Sequence, residues 1–276
     1  MADLLETRVP RNKTAQPTLV IAACRLVLSL GVLLAACFLL TQASQAQTKI
    51  PLLFGENRNE KGEMIPIPER FTKIFTAIEK DLGIQFQLQI YPWNRAVKMA
   101  STEGGLIFGL SLTPERADIF NFSEPVVYQY LWLVTRKDRQ FKFTTLEDLR
   151  GKTIGVVRGS KYGGEFDKQK NILFRADDDI DAYGPRLKKV INKQIDAMIF
   201  ASPLTEAKEV ESLINTIKIP TETDANSVKT MRFSVLPVPV LKDGIRFAIL
   251  KNQNEALIND INRSLKKYQS NLRKRN

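Results

Sequence analysis

The chain has 276 residues, 43% of them hydrophobic, which suits a globular protein of one or two domains with a substantial core. It contains no histidine, so hydrolase triads that rely on histidine are excluded, and we expect neither a metal nor a cofactor. The formal net charge is +11, but the basic residues are scattered among acidic ones outside the C-terminal tail. Such a charge is compatible with a nucleic acid, an anionic surface or an anionic ligand, but the scattered distribution argues against a nucleic-acid partner, and a solvated basic tail is the alternative.

The first 46 residues differ in composition from the rest of the chain. Basic residues precede an uncharged apolar run at 26–40, and the small-x-small triplet Ser44-Gln45-Ala46 follows it. This order predicts a cleaved signal peptide over residues 1–46 and therefore a periplasmic protein. An uncleaved anchor is the alternative, although the run of fifteen residues is shorter than the roughly 20 that a membrane span needs.

Both cysteines of the chain lie in this leader. Cys37 ends a short stretch similar to a lipoprotein box, but the apolar run continues past it, which argues against lipidation. Without Cys24 and Cys37 the mature chain has no thiol. Disulfides, cysteine nucleophiles and cysteine metal sites are then excluded.

The next segment alternates between strand and helix patterns. An apolar run at 50–56 predicts a buried strand, and apolar residues at helical spacing from Phe71 to Leu82 predict a helix that ends at Gly83. Residues 84–90 alternate as a half-buried strand does, and a short helix through 100 precedes an apolar strand at 106–108. The alternation indicates an α/β unit with a largely parallel sheet.

The stretch GLSLTPERADIFNFSEP, residues 109–125, combines a strand end with a helix start. Thr113 is placed to cap the helix, and Arg116 follows in the first turn. A guanidinium held there presents a planar fork of donors to a carboxylate or another small oxyanion, and Ser111 adds a hydroxyl on the same side. The alternative is that Arg116 pairs with an acidic neighbour on a solvated turn.

The rest of the chain continues the alternation. A long β-branched and aromatic segment, 126–136, is followed by a capped helix start at Thr145 and a buried strand at 152–157. Further strand and helix patterns follow, and the apolar face of a long final helix runs from Leu257 to Leu272. The remaining predicted elements are strands at 171–176, 195–200, 217–220, 233–240 and 244–250, with helices at 187–194 and 204–215.

The order of motifs resembles a known family. The chain resembles the family 3 solute-binding proteins of bacterial amino-acid transporters in the order of its motifs, which are TPER and FSEP, then LVTRKD, TLEDLRG and KTIGVVRGS. The resemblance implies an α/β, two-lobe periplasmic-binding-protein-like fold with the second lobe inserted into the first. Lobe 1 is then 47–136 plus 244–276, lobe 2 is 137–243, and the two hinge crossings lie near 134–137 and 243–247. A monomer is expected.

The resemblance also implies a ligand site on the first lobe. In the family, the serine and arginine of S-x-T-x-E-R grip the ligand carboxylate, which places Ser111, Thr113 and Arg116 in the site. Trp93 stands where the family has an aromatic ring that stacks on the ligand. The alternative for Trp93 is packing in the core of the lobe.

The second lobe is expected to complete the clamp. The loop Gly159-Ser160-Lys161 lies between a strand and a helix, where backbone N–H groups bind anions, and in the family this loop closes over the carboxylate. An ordinary capped helix start is the alternative. Contacts from Lys161 are expected as additions to the clamp.

One departure from the family bears on the ligand. Members that bind α-amino acids usually carry an aspartate where this chain has Ala201. An ammonium without a carboxylate partner in a closing cleft is costly, although Glu56 at the end of the first strand is a possible substitute. The departure favours a carboxylate ligand without the amine, or another small anion.

These features together predict a periplasmic solute-binding protein without catalysis. It would capture a small polar or anionic solute between closing lobes and pass it to a membrane transporter permease or sensor. A dehydratase-type enzyme on the same scaffold is the alternative, with Glu56 or Glu165 as the acid and Lys161 assisting. A sensing module that binds without transport is a third possibility.

Overall fold

The computed structural model describes residues 47–59, 62–179, 183–217, 219 and 232–274. Gln47–Asn276 forms one compact unit. The predicted signal peptide, its cleavage site and Cys37 lie outside the described residues, as does part of the predicted strand at 217–220. Within the described ranges, no helix combines the length and apolar character that crossing a bilayer requires.

Strands and helices alternate along the described chain. Two segments, Lys137–Arg139 and Leu146–Leu149, form short 3-10 helices. The strands are β1 (Thr48–Gly55), β2 (Ile84–Tyr91), β3 (Leu106–Leu110), β4 (Phe120–Phe122), β5 (Val127–Arg136), β6 (Thr153–Val157), β7 (Arg175–Asp179), β8 (Ala197–Ser202), β9 (Phe233–Val235) and β10 (Leu241–Leu250). The helices are α1 (Glu69–Leu82), α2 (Trp93–Thr102), α3 (Pro114–Ala117), α4 (Gly164–Gln169), α5 (Tyr183–Ile191), α6 (Ala207–Ile214) and α7 (Glu255–Arg273).

Helix α1 shows how the sequence pattern produces an element. Its apolar residues from Phe71 to Ile78 are buried on one face, as the spacing predicts. The helix ends at Gly83, which adopts φ 65° and donates its N–H to the carbonyl of Glu79. Glycine takes this left-handed conformation without the penalty that a Cβ adds. The predicted helix and its end are confirmed.

The strands pair into one curled sheet with the order β2-β1-β3-β10-β5-β8-β6-β7, in which β4 adds to β10 and β9 adds to β5. The pairs β1–β2, β1–β3, β6–β7 and β6–β8 are parallel. Strands β5 and β10 run antiparallel to their neighbours. The sheet is therefore mixed, with a parallel group at each end and two antiparallel strands between them.

Strand β10 joins the two ends of the sheet. Its first part, 241–245, pairs with β5, and its second part, 246–250, pairs with β3 and β4. The chain thus passes between the two halves of the sheet through β5 and β10. The lobe boundaries at 136–137 and 243–244 stay a prediction.

The buried side chains also divide into two halves. Two clusters draw on residues up to Val127, on β10 from Ile245 onward and on α7. Their centre is a group of phenylalanines in which the rings of Phe108 and Phe247 lie 4.8 Å apart. Two further clusters draw on residues from 130 to 241. Each half therefore has its own core on both faces of its part of the sheet.

Strand β2 differs from the predicted alternation. Ile84 and Phe86 are buried, but Leu88 and Ile90 on the same face are 44% and 39% exposed. β2 is an edge strand that pairs with β1 along its whole length, so strand pairing alone does not bury these two side chains.

Candidate functional site

A cavity of about 260 Å³ lies where the two halves of the sheet meet. The first half contributes the ends of β1 and β3 with the start of α2, the second half contributes residues that follow β6 and the start of α5, and the shared strand β10 contributes its middle. Among the predicted site residues, the cavity is lined by Trp93, Ser111, Arg116, Ser160 and Lys161.

Arg116 is the buried cation of the first half. β3 ends at Leu110 and α3 begins at Pro114, and the Thr113 hydroxyl caps α3 by accepting a hydrogen bond from the Arg116 N–H at 3.3 Å. The Arg116 residue is only 7% exposed, so the turn does not present it to solvent. Thr113 itself is buried and serves as this cap rather than as part of the lining.

The Arg116 guanidinium makes contacts in both halves. Its Nη1 donates to the carbonyl of Ser111 at 3.1 Å, and its Nη2 donates to the carbonyl of Gly159, in the second half, at 3.2 Å. Burial lowers the pKa of Arg116 to about 10, against the opposing effect of the negative charges of Asp167, Asp243 and Glu115. The guanidinium therefore remains protonated at neutral pH.

Asp243 is a buried acid at the same cavity. It lies on β10 and accepts hydrogen bonds at Oδ2 from the Ser111 hydroxyl at 2.8 Å and from the Gln129 side chain at 3.4 Å. Its charge offsets part of the positive charge of Arg116. Ser111 thus orients this carboxylate, while its own carbonyl holds the arginine.

Trp93 lies against two strand ends of the first half. A Cβ on Gly55 would lie 2.9 Å from Cε3 of the indole, and one on Gly109 would lie 3.7 Å from its edge, so both strands approach the ring closely because glycine stands there. The ring is half-buried, contacts a cluster of the first half and borders the cavity. The ring therefore packs against the core of the first half and also borders the cavity, and its stacking on a ligand stays a prediction.

The loop 159–161 meets the first half directly. Gly159 has φ 79°, and a Cβ there would lie 3.0 Å from Cα and Cβ of Asn94 at the start of α2. Ser160 and Lys161 line the cavity, but the Ser160 N–H donates to the Val157 carbonyl at 3.0 Å within its own turn. Gly159 thus contributes its carbonyl oxygen, which accepts a hydrogen bond from Arg116, and its lack of a side chain, which lets the loop approach Asn94 closely.

The two acids considered for other roles lie elsewhere. Glu56 forms an ion pair with Arg58 at 2.9 Å and is not among the residues that line the cavity. The Glu165 side chain is 75% exposed and pairs with Lys168 at 3.1 Å. Ala201 does line the cavity, so the position that usually carries the family aspartate faces the site without a charge.

The sequence reasoning missed three charged residues of the lining: Arg70, Arg186 and Asp243. Arg186 is fully buried on α5 beside Leu187, on the face that the helix turns inward. The sequence does carry a signal for the two buried residues. Arg186 is a charged residue on the apolar face of a helix, and Asp243 is an acidic residue inside a largely apolar strand.

A cavity shared by two α/β halves that are connected through two strands defines a two-lobe ligand-binding protein, as predicted. Residues 70–274 match the model of the bacterial extracellular solute-binding proteins, family 3. The chain belongs to this family of solute-binding proteins, and the resemblance in the sequence is confirmed.

Solved structures share the fold at low sequence identity. Holo ArgBP from T. maritima is 18% identical with a TM-score of 0.60, and the match covers 80% of this chain and 90% of that one. The substrate-binding protein AbpA from Streptococcus pneumoniae, bound to L-arginine, is 17% identical with a TM-score of 0.59, covering 81% and 90%. AncCDT-1, an ancestral amino-acid-binding protein described as a precursor of cyclohexadienyl dehydratase, is 17% identical with a TM-score of 0.58, covering 80% and 90%.

Proposed function

We propose that this protein binds a small anionic, carboxylate-bearing solute between its two lobes and delivers it to an ABC transporter permease in the membrane. Arg116 receives the acid group, Trp93 covers the ligand from the first lobe, and the loop 159–161 closes from the second. The protein acts in the periplasm after removal of residues 1–46, as a monomer and without catalysis.

The observation that carries this proposal is the position of Arg116. The residue is 7% exposed and borders the cavity, and its guanidinium contacts carbonyl groups of both lobes. A charge-assisted hydrogen bond from a buried guanidinium to a carboxylate is about twice as strong as a neutral one. An acid group held there binds the closed arrangement better than an open one, and this difference in affinity is what drives closure.

The charged side chains that line the cavity favour an anionic ligand over L-arginine, the ligand of AbpA. Among the described lining residues, four side chains are cationic and Asp243 is the acid. The four cations are Arg70, Arg116, Lys161 and Arg186. L-Arginine, which AbpA binds, would bring a further positive charge into this surrounding. We therefore expect arginine to bind weakly here.

The positions of the candidate acids do not favour the dehydratase alternative. Glu56 and Glu165 are each paired with a basic neighbour away from the cavity lining. Asp243 does face the cavity, but hydrogen bonds from Ser111 and Gln129 hold its Oδ2. We assign Asp243 to positioning and charge balance rather than to proton transfer.

The proposal is tested on the purified protein. The solute that co-purifies is released, identified by mass spectrometry and titrated back by calorimetry. We expect an acid recovered unchanged and about 1:1 binding, as one cavity between lobes implies. Conversion of the acid to a product would support the enzyme instead. A sensing role is separated from transport by measuring uptake of the identified solute in cells that lack the protein.

A further inference from the structure

We propose that Asp167 and Lys170 form a positioning pair, which fixes the loop 159–161 of the second lobe in the place where it meets Arg116. Both act through other residues, because neither is among the described residues that line the cavity. The inference rests on the proposed function, since Arg116 and this loop are taken to hold the acid group of the solute.

The two side chains form a buried ion pair at the end of α4. Asp167 lies on this helix and Lys170 directly follows it, and Nζ of Lys170 lies 3.0 Å from Oδ1 of Asp167. The two side chains are only 18% (Lys170) and 12% (Asp167) exposed. α4 carries a second pair with the same spacing, Glu165 and Lys168 at 3.1 Å, whose side chains are 75% and 68% exposed. Loss of one partner leaves an uncompensated buried charge only in the first pair, so the exposed pair is a matched control on the same helix.

The pair holds the loop from two sides. Oδ2 of Asp167 accepts a hydrogen bond from the Tyr162 N–H at 2.9 Å. Nζ of Lys170 donates to the carbonyl of Ser160 at 3.4 Å and lies 4.9 Å from the ring centroid of Tyr162. The Tyr162 hydroxyl in turn accepts the N–H of Val157 at 2.7 Å, where β6 ends. The contacts of the pair therefore set the path of the loop between β6 and α4.

The loop that the pair fixes is the one that contacts the arginine of the first lobe. The Gly159 carbonyl accepts a hydrogen bond from Nη2 of Arg116 at 3.2 Å. The negative charges of Asp167, Asp243 and Glu115 raise the pKa of Arg116 against the effect of burial, and among these three the charge of Asp167 has the largest effect. Asp167 thus attracts the cation of the opposite lobe as well as shaping the loop, and both effects favour the closed arrangement.

The first test separates the buried pair from the exposed one. The proteins are freed of bound solute and titrated by calorimetry with acetate, butyrate, benzoate and succinate, and the acid that binds wild type most tightly serves as the probe. Lys170→Gln should weaken binding of the probe at least about fivefold, whereas Lys168→Gln should stay within about twofold of wild type. Lys170→Arg keeps the charge and should restore the affinity to within about threefold of wild type, which covers the case in which the glutamine variant does not fold.

The outcomes distinguish this inference from the proposed function. Equal affinities of folded Lys170→Gln and Lys168→Gln for the probe overturn the positioning role and leave the proposed function standing. If Lys170→Gln does not fold, an affinity of Lys170→Arg as low as that of a protein without the loop contact, at least about tenfold below wild type, overturns it as well. Failure of every acid in the panel to bind wild type overturns the proposed function, and the positioning role falls with it.

A pH profile gives a readout that a loosened loop alone would not change. Asp167→Asn retains an acceptor oxygen for the Tyr162 N–H but removes the charge that acts on Arg116. The fall in probe affinity at alkaline pH should then begin at a lower pH than in wild type, because Arg116 loses its proton more readily. Glu165→Gln, on the exposed pair, should leave the onset of the fall unchanged. An onset in folded Asp167→Asn equal to that of wild type overturns the assignment of Asp167.

Discussion

Truncation of Arg116 is the most direct test of the site. The Arg116 residue is only 7% exposed, and Arg116→Ala removes a guanidinium that contacts both lobes, at the Ser111 carbonyl (3.1 Å) and the Gly159 carbonyl (3.2 Å). An exposed ion pair contributes about 1 kcal/mol or less. The loss of one partner of a desolvated charged contact costs more, and we expect about 2–4 kcal/mol of binding free energy.

The expected loss corresponds to a rise in Kd of about 30- to 700-fold, measured by calorimetry with the co-purified solute. Thermal unfolding of the variant must be recorded as well, because the change leaves the buried Asp243 without its neighbouring positive charge. Arg95→Ala is the control for loss of an arginine outside the cavity and should change Kd by less than about twofold. An Arg116→Ala protein that is folded and binds within threefold of wild type would refute the reasoning.

Three further predictions follow from the same geometry. Gly159→Ala should weaken solute binding about three- to tenfold, because the added Cβ would meet Asn94 and oppose closure of the lobes. Gly151→Ala is the control, since Gly151 also has a positive φ (71°) but an added Cβ there would have nothing within 4 Å, and it should leave the solute affinity unchanged. Equal solute affinities of the two variants would contradict this prediction. Trp93→Phe should abolish the change in tryptophan fluorescence on solute binding, and a persisting change would place the solute away from the indole. Solute affinity should be constant from pH 7 to 9 and fall about tenfold per pH unit above 10, as Arg116 loses its proton, and this fall should be absent in Arg116→Gln.

The fold follows from the sequence because its signals are local. Apolar spacing in α1, the glycine at its end and the alternation of strand and helix patterns each occur within a few residues of one another. The order of the motifs then implied the two-lobe arrangement, which the family match and the sheet topology bear out. The exception was β2, where burial depends on what covers an edge strand and not on the strand's own alternation.

The candidate site likewise has one part that a local sequence motif predicts and another part that depends on contacts between distant residues. The S-x-T-x-E-R motif marks Arg116 within six residues, and the structure places its guanidinium at the cavity. Asp243 and Ser111, by contrast, form their hydrogen bond across 132 positions in the sequence. A contact of that separation depends on the register of β10 against β3 and β5, which no local pattern specifies.

The replaced aspartate shows how the ligand depends on such distant contacts. The family position is Ala201 on β8, and the acid at this cavity is Asp243, on β10. In the register of the sheet, Ala201 is opposite Leu131, and Leu131 is opposite Leu241, so Asp243 lies two strands across the sheet from Ala201 and two residues further along β10. Asp243 neighbours the arginine that is expected to bind the acid group. A ligand amine placed to meet an aspartate at position 201 would find none, whereas Asp243 offsets part of the positive charge of Arg116.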